Sequence, residues 1–207
     1  NILPIRRPKA KPLPVVLTQD ELARVFAQAY QHERRVPHRG LLLRFLFETG
    51  VRVSELVGIN VPDLDLVERT CLVVEGKGRK DRLVVFSVGL AEQLRLYIGT
   101  RRDGPLFLTN RFGRYSVRTV QHHVQRIARR SGIAKRIHPH TYRHSMATYL
   151  RDRGMPLDAI QAQLGHDDPR STQIYTQLSV ERRRQEYDRA MAGMVGTELA
   201  VRPGTGG

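Results

Sequence analysis

Four stretches of the sequence contain side chains of the types that attack and hold a phosphodiester. The stretches read TGVRVSEL, GKGRKDR, HPHTYRHS and LGHDDPRSTQIYTQL. Their candidate reactive residues are Arg52, Lys77, His140, Arg143, His166 and Tyr175. A phenol, with a reference pKa of ~10, is a useful nucleophile only where nearby cations stabilise its charge and that of the substrate. The combination therefore indicates attack by a tyrosine on phosphorus, with side-chain cations in place of a metal ion.

The helix predicted over 140–153 places His140 and Arg143 on one face, because residues three apart are neighbours on a helix. Its opposite face is apolar and consists of Tyr142, Met146, Tyr149 and Leu150. A guanidinium fork fits two phosphate oxygens, histidine transfers protons near neutral pH, and a helix N-terminus favours anions. Taken alone, this helix is equally consistent with a solvated helix start and a structural histidine.

Arg52 follows Gly50 at a predicted turn between helices and has apolar neighbours on both sides. A charged side chain that is partly buried in this way needs an anion as partner. Two anions remain open at this point, a substrate phosphate and the carboxylate of Glu55.

The turn GKGRKD joins two predicted strands and presents Lys77 between two glycines. Glycines allow the backbone to turn tightly and to approach a ligand. Three more cations make this hairpin basic, and we predict that they contact DNA: Arg79, Lys80 and Arg82. Simple solvation of the hairpin lysine is the alternative.

His166 follows a predicted helix stop at Gly165, and Tyr175 lies in a predicted polar helix over 170–177. The chain contains seven tyrosines. Most tyrosines in proteins are packing residues, so periodicity alone does not single out Tyr175.

The composition indicates a polyanionic partner. The chain of 207 residues carries 35 Lys and Arg against 20 Asp and Glu, with a formal net charge of +15. A folded, strongly basic protein usually binds nucleic acid, although a merely solubilising surface is the alternative. The predicted helix over 116–131 is our candidate for contact with a DNA groove, through Arg118, Gln121, His122, Gln125, Arg126 and Arg129. The same face could instead contact phosphates only.

One cysteine, Cys71, excludes an internal disulfide and a cysteine-based zinc cluster. It lies in the apolar run TCLVV, which predicts a buried structural thiol. The sequence contains no signal peptide and no apolar run of the ~18 residues that a membrane span requires. These features predict a cytoplasmic protein.

The elements that must position these residues are mainly helical. Thr18 and Glu21 form a predicted capping box before a first helix, and a second helix over 40–49 ends at Gly50. Short β runs over 63–86 predict a small antiparallel sheet, so the fold class is α+β. Further helices are predicted over 87–98, 157–164 and 180–194. We expect a basic, proline-rich linker over 1–17, one domain over 18–195 and a disordered tail over 196–207.

In order and spacing, the four stretches resemble the active-site boxes of the tyrosine recombinase (phage integrase) family, most closely its Xer-like members. The resemblance extends over 11–187. It implies the catalytic-domain fold of that family and site-specific recombination through a 3′-phosphotyrosine intermediate, with no cofactor. It also implies that Arg52, Arg143 and His166 hold the phosphate and that Tyr175 attacks, while Lys77 and His140 transfer protons.

Two departures from the family accompany this resemblance. Tyr142 stands where the family usually has leucine, on the apolar face, where it affects packing rather than chemistry. Family members also carry an N-terminal helical domain that clamps DNA, and we expect that domain to be absent from this chain.

The resemblance implies double-stranded DNA as partner and a homotetramer on two DNA sites, with a protein that is monomeric without DNA. It further implies that the C-terminal segment docks on a neighbouring subunit. The apolar stripe of the last helix, Val180, Tyr187, Met191 and Met194, fits such docking in trans and equally fits docking on its own domain.

Three other functions compete with recombination. A type IB topoisomerase uses the same residue types, and a non-catalytic DNA-binding relative would keep only the fold. A histidine-based metalloenzyme rests on the eight histidines, but the sequence has no HExxH motif.

Overall fold

The computed structural model describes residues 14–31, 38–74, 81–165 and 179–194. In this part of the chain, α-helices surround one three-stranded antiparallel sheet of order β1-β2-β3. The helices are α1 (Gln19–Gln31), α2 (Arg39–Thr49), α3 (Val53–Gly58), α4 (Val88–Ile98), α5 (Val117–Arg130), α6 (Pro139–Asp152), α7 (Leu157–Leu164) and α8 (Val180–Met191). The strands are β1 (Leu64–Asp65), β2 (Thr70–Val73) and β3 (Arg82–Val85). The predicted fold class is thus confirmed. Other predicted segments lie outside the described residues: the linker up to residue 13, the hairpin turn 75–80, the helix 170–177 and the tail.

The helix starts predicted from polar caps are confirmed. The Thr18 amide donates to a Glu21 carboxylate oxygen at 2.8 Å, and the Glu21 amide donates to the Thr18 hydroxyl at 3.2 Å. The Ser87 and Ser116 hydroxyls accept from amides in the first turns of α4 and α5. Each cap satisfies backbone donors that have no partner inside the helix.

Helix α2 forms the centre of the core and is buried on all sides from Gly40 to its end. Even its charged pair is internal: Arg44 Nε lies 2.7 Å from a Glu48 carboxylate oxygen, with both side chains at most 3% exposed. The second oxygen of Glu48 accepts from the Ser87 amide at 3.1 Å, which connects α2 to the start of α4. The helix ends at Gly50 in the left-handed conformation (φ 63°), as predicted.

Cys71 is fully buried in β2, which confirms the structural thiol, and burial raises the pKa of that thiol.

Helix α8 packs on its own domain. Tyr187 is fully buried, Met191 and Met194 are nearly so, and Val180 packs partly buried against the same core. Two hydrogen bonds of 2.7 Å join the Arg69 guanidinium, beside β2, to the Asp188 carboxylate. Of the two alternatives for this stripe, the isolated chain shows docking on its own domain, with the apolar side chains in the core of their own protomer.

Tyr187→Phe is expected to destabilise the domain by about 1–2 kcal/mol, because the Tyr187 hydroxyl donates to the Glu48 carbonyl at 2.9 Å inside the core. Tyr142→Phe is the matched control. Tyr142 is equally buried, but its hydroxyl has no hydrogen-bond partner among the described residues, so its loss is expected to be neutral or stabilising. Denaturant unfolding of both variants measures the difference, and equal effects would contradict the assigned role of the Tyr187 hydroxyl.

Candidate functional site

Arg52 is the cap residue of α3, and Glu55 in the first turn of that helix is its partner. The Arg52 guanidinium lies 2.5 Å from one Glu55 carboxylate oxygen, and the Arg52 amide donates to the other at 2.7 Å. The Arg52 side chain remains 25% exposed. Of the two anions that the sequence leaves open, Glu55 is thus a partner of Arg52 in the isolated chain.

Arg82, at the start of β3, binds the same carboxylate. Its two terminal nitrogens lie 3.2 and 2.8 Å from the two Glu55 oxygens. Burial alone would raise the pKa of Glu55, but the hydrogen bonds from Arg82 and Arg52 lower it to about 2. One ionised carboxylate therefore joins α3 to the strand that follows the basic hairpin.

The sequence predicts DNA contact for Arg82, whereas the structure places this side chain largely in the interior. Its side chain is only 8% exposed and is held by Glu55. It also lies against Gly165, where an added Cβ would come within 2.8 Å of Arg82 Nε. Arg82 positions three segments relative to one another and does not present its charge at the surface.

Arg143 in α6 is buried, at 6% exposure, although the sequence leaves a solvated helix start open. Its guanidinium donates to the Gly50 carbonyl at the end of α2 and to the Leu164 carbonyl at the end of α7. Gly50 lies two residues before Arg52, and Leu164 lies two residues before His166. Arg143 therefore holds together the chain segments that lead to two other predicted site residues.

Gln163 fixes the end of α7, a role that no motif in the sequence predicts. This side chain is fully buried and makes three hydrogen bonds to backbone groups. It accepts from the Val85 amide at 3.0 Å and donates to the Val85 and Thr49 carbonyls at 2.8 and 3.3 Å. Nothing in the local sequence signals this role, because all three contacts are distant along the chain.

His140 lies exposed in the first turn of α6, and His144 follows one turn later on the same side. Partial burial, together with the charges of His140 and Arg143, lowers the pKa of His144. The structure thus brings His140, His144 and Arg143 into one electrostatic group at the start of α6. The apolar face predicted for this helix is confirmed, since Tyr142, Met146, Tyr149 and Leu150 are all buried.

Five predicted site residues lie outside the described residues, and for them the predictions stand as made: Lys77, Arg79, Lys80, His166 and Tyr175. The described flanks of their segments are β2, β3, the end of α7 and the start of α8. Among the described residues, no group of three His, Cys, Asp or Glu side chains lies close enough to hold a metal ion.

Helix α5 lines an open groove of about 690 Å³. Five of the six residues predicted to contact DNA line it, together with Thr119, His123 and Arg130, whereas Gln121 does not. Arg118, His122, Arg126 and Arg129 are exposed, and Gln121 and Gln125 are partly buried. The opposite face of α5, with Val120, Val124 and Ile127, is buried in the core. No helix in the described part of the chain is long and apolar enough to cross a lipid bilayer.

Comparison with known proteins supports this arrangement. Residues 15–182 match the model of the phage integrase family. Tyrosine recombinase XerC of Syntrophus aciditrophicus (strain SB) is 36% identical over 192 residues, which cover 87% of this chain and 62% of the relative. The chain thus spans about three fifths of the length of that relative.

Solved structures show the same fold. The crystal structure of XerA recombinase matches with a TM-score of 0.67 at 34% identity, covering 86% of this chain and 66% of that one. XerH site-specific recombinase bound to difH substrate, in a pre-cleavage complex, matches with a TM-score of 0.63 at 26% identity, covering 84% of this chain and 54% of that one. The sequence match, the shared fold and the buried Arg143 that links the segments of Arg52 and His166 lead to one conclusion: the chain belongs to the phage integrase family.

Proposed function

We propose that this chain is the catalytic part of a tyrosine-type site-specific recombinase, which cuts and rejoins DNA strands through a covalent phosphotyrosine. The observation that supports it most strongly is the set of contacts of Arg143. This buried arginine connects the end of α2, next to Arg52, with the end of α7, next to His166. Three of the six proposed catalytic residues therefore belong to segments that meet at one point.

In the proposed reaction, Arg52 and Arg143 hold the non-bridging oxygens of the scissile phosphate, and His166 donates a further hydrogen bond. Fixed cations of this kind stabilise the charge that develops in the pentavalent transition state. Glu55 holds Arg52, and the Gly50 and Leu164 carbonyls hold Arg143, which supports these roles. Donors that are already fixed require little reorganisation energy during the reaction.

The Tyr175 oxygen attacks phosphorus and forms the phosphotyrosine bond, while the bond from phosphorus to the 5′ oxygen breaks. Lys77 and His140 take the proton from the phenol and supply one to the departing oxygen. The covalent link conserves the energy of the phosphodiester, so a 5′-hydroxyl of a partner strand reverses the step without ATP.

The proposed partner is double-stranded DNA. The basic groove along α5 supports this, as does the relative XerH, which was crystallised with its difH substrate. Strand exchange joins two duplexes, for which we propose a homotetramer. Because α8 is already buried on its own domain, we propose that contacts between protomers in the tetramer involve other surfaces.

Covalent trapping tests the proposed function. Wild-type protein and Tyr175→Phe are incubated with supercoiled DNA that contains the sequences flanking the coding region, and detergent then stops the reaction. We expect protein covalently attached to DNA for the wild type only. An adduct with both proteins would contradict the role of Tyr175, and no adduct with either would contradict the proposed activity of this chain.

A further inference from the structure

Two arginines from different helices border one aromatic cluster beside the α5 groove. Arg39 is the first residue of α2, and Arg126 lies on the exposed side of α5. Burial lowers the pKa of Arg39, and the charges of Arg126 and Arg130 lower it further. Like charges held together at a surface repel each other less once an anion binds between them.

Neutral aromatic side chains hold both arginines in place. His123 Nδ1 lies 3.1 Å from an Arg126 terminal nitrogen, and the Tyr115 hydroxyl interacts with Arg39. The same hydroxyl lies 3.2 Å from His38 Nε2, and the Tyr115 and His123 rings pack edge to face, with centroids 5.7 Å apart. This aromatic platform, Tyr115, His38 and His123, restricts the two arginines before any ligand arrives.

The platform adds no negative charge. Burial is the main cause that lowers the pKa of His38 and of His123 to about 4, so both rings are neutral near pH 7. A neutral His123 keeps Nδ1 as an acceptor for Arg126, which a protonated ring could not provide. The platform therefore supplies neither arginine with a counter-charge.

Several arginines in the described part of the chain are paired with carboxylates. Arg44, Arg52, Arg69, Arg82, Arg151, Arg184 and Arg189 each lie within 4 Å of a carboxylate. Within residues 14–31, 38–74, 81–165 and 179–194, Arg39 and Arg126 form no such pair, and the buried Arg39 Nε has no hydrogen-bond acceptor. An unpartnered guanidinium atom of this kind is costly unless a ligand supplies the acceptor.

We propose that Arg39 and Arg126, positioned by Tyr115 and His123, form a preformed binding site for a phosphate group of the DNA backbone. This inference rests on the proposed function for the identity of its ligand. The proposed site extends the DNA interface from α5 to the beginning of α2. It also distinguishes residues that position the duplex from residues that face its bases. The arginine pair fixes the position of the duplex independently of its sequence, whereas side chains such as Gln125 face the groove, where bases can be read.

The test measures binding of labelled duplexes of two unrelated sequences over a series of salt concentrations. Arg39→Gln and Arg126→Gln are each expected to weaken binding about 10-fold on both duplexes. The slope of log K against log salt should become less steep by ~0.9 for each phosphate that the variant no longer neutralises. Tyr115→Phe, which keeps the ring but removes the hydroxyl beside Arg39, should weaken binding by a smaller factor.

Arg189→Gln is the matched control, because Arg189 is 75% exposed on α8 and already paired with Glu186. Thermal denaturation of each variant verifies that it is folded. The proposal is overturned if both arginine variants bind like this control, or if they lose affinity for one duplex only, which would indicate base reading.

A second arm separates backbone phosphate from free phosphate. The thermal midpoint is measured in pyrophosphate and in sodium chloride of equal ionic strength. Greater stabilisation of the wild type than of Arg39→Gln by pyrophosphate would support a site that takes phosphate from either source, and an effect on DNA binding alone would support the backbone as its ligand. Neither arm needs Tyr175, so failure of covalent trapping with a normal result here would overturn the recombinase and leave the arginine pair intact.

Discussion

Arg143→Lys is expected to slow formation of the covalent adduct roughly 100- to 1000-fold, the effect that follows removal of one donor to a developing oxyanion. Lysine preserves the charge but not the fork, and here two nitrogens of the fork donate to carbonyls on two different segments. An ammonium group cannot keep both carbonyls paired in the same geometry. One buried acceptor would then be left without its donor, which costs a further ~1–3 kcal/mol of stability.

Arg151→Lys is the matched control for this variant. Arg151 lies two turns further along α6, is 65% exposed and is paired with its neighbour Asp152. The rate of adduct formation and the thermal midpoint are measured for both variants and the wild type. An Arg143→Lys protein that reacts within a few-fold of the wild-type rate would show that the fork is dispensable for cleavage.

Gly50→Ala is expected to destabilise the domain by about 2–5 kcal/mol and to reduce cleavage with it. Gly50 adopts φ 63°, a conformation that costs an alanine ~1–2 kcal/mol. An added Cβ would also overlap the Met146 methyl group and come within 3.0 Å of Leu164 Cδ2, and overpacking of this kind typically costs ~1–3 kcal/mol. Gly50 also supplies a carbonyl to which Arg143 donates, so a backbone shift that relieves the overlap displaces an acceptor of Arg143.

Two other glycines separate these contributions. Gly154 has φ 81° but open space around its Cβ direction, so Gly154→Ala reports the strain of a positive φ without overlap, at ~1 kcal/mol. Gly58 has neither a positive φ nor a neighbour within 4 Å, and Gly58→Ala is expected to have little effect or to stabilise the end of α3. Denaturant unfolding should rank the variants in the order Gly50, Gly154, Gly58, and a Gly50→Ala destabilisation no larger than that of Gly154→Ala would refute the overlap.

The sequence was sufficient to predict what depends on neighbouring residues. The Thr18 and Glu21 caps, the stop at Gly50, the serine starts of α4 and α5, and the buried face of α6 all follow from local patterns, and the structure confirms them. The proposed catalytic residues came from a family resemblance, and only Arg52, His140 and Arg143 of them lie in the described part of the chain.

The missed features depend on contacts between distant residues. Arg143 meets Gly50 across 93 positions, and Gln163 meets Val85 across 78. Arg82 looked like a surface cation because its hairpin is basic, but Glu55, 27 positions earlier, draws it into the interior. No pattern of charge or periodicity identifies such partners, since the fold alone brings them together.

The carboxylate of Glu55 acts as a permanent internal competitor for Arg52. Any phosphate that this guanidinium binds must share it with an anion that is tethered three residues away and is ionised down to a pH of about 2. Weakly held anions such as chloride gain little by binding there, so a ligand needs further contacts to occupy the arginine. When that ligand departs, Arg52 remains paired with Glu55, which lowers the free-energy cost of release. The Glu55 carboxylate therefore favours release of the ligand from Arg52 over its tight retention.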